Sequence, residues 1–188
     1  MTIPVILRSC WSRTSTYARL LSAIEQKKDL YVSDSPLQLD KNERQQIVGV
    51  LNGNLYHESK IRLYVLLRLD SELSKGQASY SYPIITVEHV LPQTPDANSV
   101  WMKWFPTEDL REQYTHKLGN LALLARKKNS QAQNYDFDVK KQKYFSSSKG
   151  ISNFALTTQV LNEKQWTPAV VDARQKQLVG TLQMLWNL

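Results

Sequence analysis

The sequence predicts an α+β domain, a mostly helical body into which a small strand–loop–strand–helix unit is set. Three observations predict it. Apolar residues recur at helical spacing before residue 74 and after residue 150. Two short apolar runs, at 84–89 and in LALL at 121–124, read as strands. Between them Pro92, Pro95 and Pro106, with Trp101, Trp104 and Phe105, mark a long loop.

Each element follows in order. Residues 14–29 are expected to be helical, with Leu20, Leu21 and Ile24 on one side. Asp40 followed by Glu43 makes a capping box that opens a helix through about Leu55. The run 61–69, IRLYVLLRL, is apolar on nearly every face apart from Arg62 and Arg68, which suits a central helix packed from several sides. Polar residues 74–79 end it and lead to the first strand. After the second strand a helix is expected from about Lys128 to Phe145, then two more beyond SSSKG. The last has Thr167 as N-cap and Pro168 at its first position. Its stripe is Val171, Leu178, Leu182 and Leu185, with Arg174 lying in it. The expected organisation is a helical part over 1–79, the strand unit over 80–149 and C-terminal helices over 150–188, together one compact domain of 188 residues.

Composition narrows the class. Hydrophobic residues at 41% and charged residues at 22% give the profile of a soluble globular protein. No apolar run approaches a membrane span, and the N-terminus lacks the basic and apolar regions of a signal peptide. A single cysteine, Cys10, excludes an intramolecular disulfide framework and a multi-cysteine zinc site, so a cytoplasmic address is expected. The net charge is +7, and the segment 117–149 carries +6 of it, with eight Lys or Arg against Asp136 and Asp138. Such a segment suits a phosphate backbone, although taken alone it reads more readily as a solvated lysine-rich helix.

The first strand ends on Glu88 and His89. Adjacent strand residues point to opposite faces, so the two can serve different ends. Hydrolysis of a phosphodiester needs a base for water, which an imidazole provides, and stabilisation of the departing oxygen, which a divalent metal provides. Magnesium takes few protein ligands, and one carboxylate with one amide oxygen is enough. Glu88 offers the carboxylate. Asn129, nine residues after Asn120, offers the amide, with Asn134 as its rival one or two helical turns on. Asn120, beside Gly119, could bond across to the loop and hold His89 in position.

Glu88-His89, a hydrophobic pair, Pro92-Gln93, then Gly119-Asn120 and Asn129 resemble an HNH (His-Me finger, ββα-metal) nuclease. The opening and the nine-residue interval are similar to the HNH domain of RNA-guided CRISPR nucleases. A broader set comprises VEHVLPQ, W-x-x-WF, HKLGNLALL, KKN, a Tyr-Phe-Ser segment, and Trp166 with Arg174. It resembles the C-terminal nuclease domain of GmrSD-type, modification-dependent restriction and phage-defence proteins, from about Leu63 to Trp186. The resemblance implies a ββα-metal finger in which Glu88 and Asn129 hold Mg²⁺ or Mn²⁺, His89 is the general base, and Asn120 braces the loop. It leaves His116 open between substrate contact and loop structure. Glu88 stands where Asp is commoner, and the final ligand is Asn rather than His. The resemblance also implies DNA as substrate and a nucleotide-hydrolysing sensor domain, N-terminal or separate. The six glycines are scattered and form no phosphate-cradling loop, so any sensing is expected from elsewhere.

Lys127, Lys128, Lys140, Lys141 and Lys143 could touch phosphates or simply be solvated. Trp101, Trp104 and Phe105 are expected to pack beneath the long loop rather than stack on bases. Arg174 is expected to form a structural ion pair, and His57 is given no role. The alternatives to a DNA endonuclease are a non-catalytic DNA-binding module and a protein-interaction module, each keeping the same scaffold.

Overall fold

The computed structural model describes residues 13–32, 35–77, 80, 84–125, 134–145 and 152–188. Helix α1 (Arg13–Glu25) is followed by α2 (Lys41–Asn52), which opens with the expected capping box. The Asp40 carboxylate accepts the Glu43 N–H at 2.8 Å, and the Glu43 carboxylate accepts the Asp40 N–H at 2.9 Å. Two backbone donors at the helix start are thus satisfied reciprocally. A 3₁₀ turn (Leu55–His57) leads to the central helix α3 (Arg62–Leu73), whose Val65, Leu66 and Leu69 are fully enclosed.

Strand β1 (Ile85–His89) pairs antiparallel with β2 (Leu121–Ala125), with Glu88 opposite Ala122 and His89 opposite Leu121. The connection between them is not the plain loop expected from its prolines. It contains α4 (Val100–Trp104) and α5 (Glu108–Thr115). The Thr107 hydroxyl accepts the Leu110 N–H at 3.2 Å, and Glu108 and Asp109 sit in the first turn of α5, where the helix dipole favours acids. Trp101 and Phe105 are buried, so these aromatics pack beneath the connection. The helix expected over 128–145 is described only from residue 134. There it is the short α6 (Phe137–Lys140), running into a π turn (Lys141–Phe145). Helices α7 (Ala155–Asn162) and α8 (Pro168–Trp186) are the expected C-terminal pair.

The two strands divide the core. Leu121 and Leu123 join Leu51, Leu66, Leu69, Leu156, Leu178 and Leu182 on one side. Ala122 and Leu124 join Trp101, Phe105, Phe137 and Trp166 on the other. Burial on both faces explains why β2 reads as a continuous apolar run rather than an alternating one. Its free edge is closed by α7. The Thr157 hydroxyl accepts the Leu123 N–H at 3.0 Å and donates to the Leu123 carbonyl at 2.7 Å.

Helix α8 fixes the start of β2. Gln175 accepts the Gly119 N–H at 2.6 Å and donates to the Leu51 carbonyl at 2.8 Å. Arg174, expected in an ion pair, instead donates to the carbonyls of Gly119, Leu121 and Leu156 at 2.7–2.9 Å. The guanidinium is enclosed, and its fork of donors matches carbonyls that the strand start leaves open. Burial lowers its pKa to about 9. Among the described residues no helix is long and apolar enough to cross a membrane.

Candidate active site

The register separates the two side chains at the tip of β1. Glu88 lies on the Ala122 face and His89 on the Leu121 face, since directly paired residues share a face. Both are nearly enclosed, Glu88 9% and His89 5% exposed.

On its face Glu88 meets Lys140. The Lys140 ammonium donates to Glu88 Oε1 at 2.8 Å and to the His89 carbonyl at 2.7 Å. Lys140 is 0% exposed, so the expectation that it faces a phosphate backbone is corrected. It shares the inward face of α6 with Phe137, three residues before it, and its charge is answered inside the protein. Burial pushes the Glu88 carboxyl above its usual range, and the Lys140 charge works against that rise. Burial likewise lowers Lys140, with Glu88 opposing. Neither ion is tolerable there alone, and together they hold the strand tip.

On the other face His89 meets His116, against which His57 packs in turn. Its Nε2 lies 3.2 Å from Nδ1 of His116. The Tyr56 ring sits 4.1 Å from the His89 ring centroid and stacks on His116 at 5.3 Å and 21°. His57 packs on His116 at 4.2 Å. Burial, followed by the charges of His116, Lys140, Arg62 and His57, lowers the His89 pKa to about 3. Burial at this face thus favours the neutral imidazole.

Asn120 ties the two strand ends to the connection between them. Its amide oxygen accepts the Leu91 N–H at 2.8 Å and the Trp166 indole N–H at 2.9 Å. Its amide nitrogen donates to the carbonyls of Leu91 at 3.0 Å and Thr115 at 2.8 Å. The backbone adds a bond from Val90 N–H to the Asn120 carbonyl at 2.9 Å. The chain leaving His89 is thus pinned immediately after the imidazole.

The remaining expected site residues fall in three groups. Lys127, Lys128 and Asn129 lie outside the described residues. Lys141 is half-buried and donates to the Glu163 carbonyl at 2.6 Å, while Lys143 and Asn134 are exposed. His116 is half-buried and lies against His89. Three residues of the site were missed as such: Lys140 as the partner of Glu88, and Tyr56 and His57 beside His89 and His116. The Phe137–Lys140 spacing, i to i+3 on a short helix, is the signal that would have turned Lys140 inward. Tyr56 and His57 reach the site only through the fold.

Among the described residues no three His, Cys, Asp or Glu side chains are grouped to hold a metal ion. What is present at Glu88 is a single carboxylate, a hard oxygen donor. Its Oε1 is already engaged by the Lys140 ammonium at 2.8 Å, so a cation held there would compete with that charge.

A two-stranded antiparallel sheet with an acid and an imidazole at its tip, set in a helical α+β body, is consistent with an HNH-like nuclease domain. The chain belongs to the family of C-terminal domains of GmrSD restriction endonucleases, whose family model matches residues 49–181. It is thus a restriction-endonuclease-related nuclease domain. No curated protein matches it. The matched span takes in both strands, Lys140 and the His57–His89–His116 group.

Proposed function

We propose that this domain is a metal-dependent HNH endonuclease that hydrolyses DNA phosphodiester bonds as the effector of a cytoplasmic restriction or anti-phage defence system. The observation that carries the reading is the strand tip itself. A carboxylate faces one side, an imidazole the other, and Asn120 fixes the backbone directly after them. His89 takes a proton from the attacking water. Glu88 and Asn129 are the oxygen donors that would hold Mg²⁺ or Mn²⁺, which when bound supplies positive charge at the departing 3′ oxygen. Lys140 keeps the Glu88 carboxylate in one orientation by binding its Oε1 and the neighbouring carbonyl together. Lys127, Lys128 and Lys141 help to seat the phosphate backbone, and recognition of modified DNA belongs to a nucleotide-hydrolysing partner domain or subunit.

Water attack with a 3′ leaving oxygen leaves 5′-phosphate and 3′-hydroxyl ends. End-labelled duplex DNA incubated with the protein and Mg²⁺ or Mn²⁺ is expected to yield nicks or breaks that DNA ligase reseals directly. Absence of strand breaks with every divalent metal tried would contradict the reading, and ends carrying 3′-phosphate would contradict its mechanism.

A further inference from the structure

An imidazole accepts a proton only at a nitrogen whose lone pair is free, and in its neutral form the other nitrogen then carries the hydrogen. On His89 one nitrogen is already occupied, because Nε2 faces His116 Nδ1 at 3.2 Å. That leaves Nδ1 for water. Nδ1 is basic only when the hydrogen sits on Nε2, and this requires an acceptor opposite Nε2.

His116 is held opposite that nitrogen from several directions. Its carbonyl accepts the Tyr56 N–H at 3.3 Å, which ties it to the 3₁₀ turn over Leu55–His57. One ring neighbour is Tyr56, nearly parallel at 21°, and another is His57 at 4.2 Å. Tyr56 touches both imidazoles, so the pair is clamped as a unit. No carboxylate takes part in the described contacts of this face, where Arg62 lies over the Tyr56 ring at 4.3 Å.

We infer that His116 is the positioning residue of His89: its Nδ1 accepts the His89 Nε2 hydrogen and so presents an unprotonated His89 Nδ1 to the attacking water. The arrangement does with a neutral imidazole what the buried carboxylate of a hydrolytic triad does for its histidine, fixing tautomer and ring orientation. Tyr56 and His57 fix His116 in turn. The catalytic consequence rests on the nuclease reading above, whereas the tautomer does not.

Two readouts separate the claims. In the metal-free protein, long-range ¹⁵N–¹H NMR is expected to show His89 as the Nε2–H tautomer. His116→Asn keeps an acceptor oxygen near the Nδ1 position and should preserve that tautomer, while His116→Phe should give a mixture. In Mg²⁺-dependent cleavage, His116→Phe should lower kcat roughly 10- to 100-fold, the range usual for partners that orient an imidazole. KM should be nearly unchanged, and His116→Asn should recover much of the rate. A wild-type His89 carrying its hydrogen on Nδ1, or a tautomer indifferent to His116→Phe, would overturn the inference even in a protein that cuts. An Nε2–H tautomer in a wild-type protein that fails to cut supports the pair and contradicts only the nuclease reading.

Discussion

Lys140 and Glu88 form a pair in which each ion justifies the other's burial. Lys140→Met would leave an enclosed carboxylate without its partner, and a loss of about 3–5 kcal/mol is expected. Combining it with Glu88→Gln should recover part of that loss, because the two residues share one interaction. Urea unfolding of wild type, both single variants and the double variant measures the coupling, and additive losses would contradict the pair. His89 sets a pH dependence of definite sign. The unfolded imidazole titrates near 6.5 and the folded one near 3, so between those values the unfolded chain binds the extra proton. The stability contribution is fully present above about pH 6.5 and is lost as pH falls toward 3, at up to about 1.4 kcal/mol per pH unit. Unfolding of the metal-free protein from pH 7 to pH 4 should show a shallower decline for His89→Asn than for wild type. Equal slopes would mean that the imidazole is not held neutral by the fold.

At the scale of elements, the site depends on how closely α8 approaches the turn before β2. A Cβ at Gly119 would lie 2.5 Å from the Val171 carbonyl oxygen and 3.0 Å from the Gln175 nitrogen. These are backbone atoms of a helix and cannot swing aside. Gly119→Ala should therefore displace α8, loosen the bonds from Gln175 and Arg174, and cost about 2–3 kcal/mol. A melting temperature lower by roughly 5–10 °C is the expected readout, and an unchanged one would show that the contact is slack. Elements with strong local signals were legible in the sequence. The Asp40–Glu43 box, the apolar run of α3, the two strands and Thr167-Pro168 each announce themselves within a few residues. Helices α4 and α5 were not, since five and eight residues span too little of the helical period to outweigh the prolines around them. The Thr107 cap was the available sign. Lys140 was misread because a lysine inside a basic segment counts toward surface charge, although its spacing from Phe137 turns it inward.

For the whole molecule, the sheet is the smallest part and the organising one. Its two faces carry separate apolar clusters, and the same alternation sends Glu88 toward Lys140 and His89 toward the other two histidines. That Glu88 and His89 point to opposite faces follows from strand periodicity and was legible, whereas the lysine that meets Glu88 was not. The convergence of His57, His89 and His116 was not, because it arises from packing between segments distant in the chain, which leave no local pattern. The basic segment over 117–149 also changes meaning, since one of its charges serves the interior. Placement of the chemistry at the tip of β1 stands or falls on conversion of supercoiled plasmid by the purified protein in Mg²⁺ or Mn²⁺, beside an equally folded His89→Ala variant. Wild type is expected to relax or linearise the plasmid and the variant to be slower by about 10²–10⁴-fold, the usual contribution of a general base. Equal cutting by both proteins would contradict the assignment of His89 and, with it, the placement of the chemistry at the tip of β1.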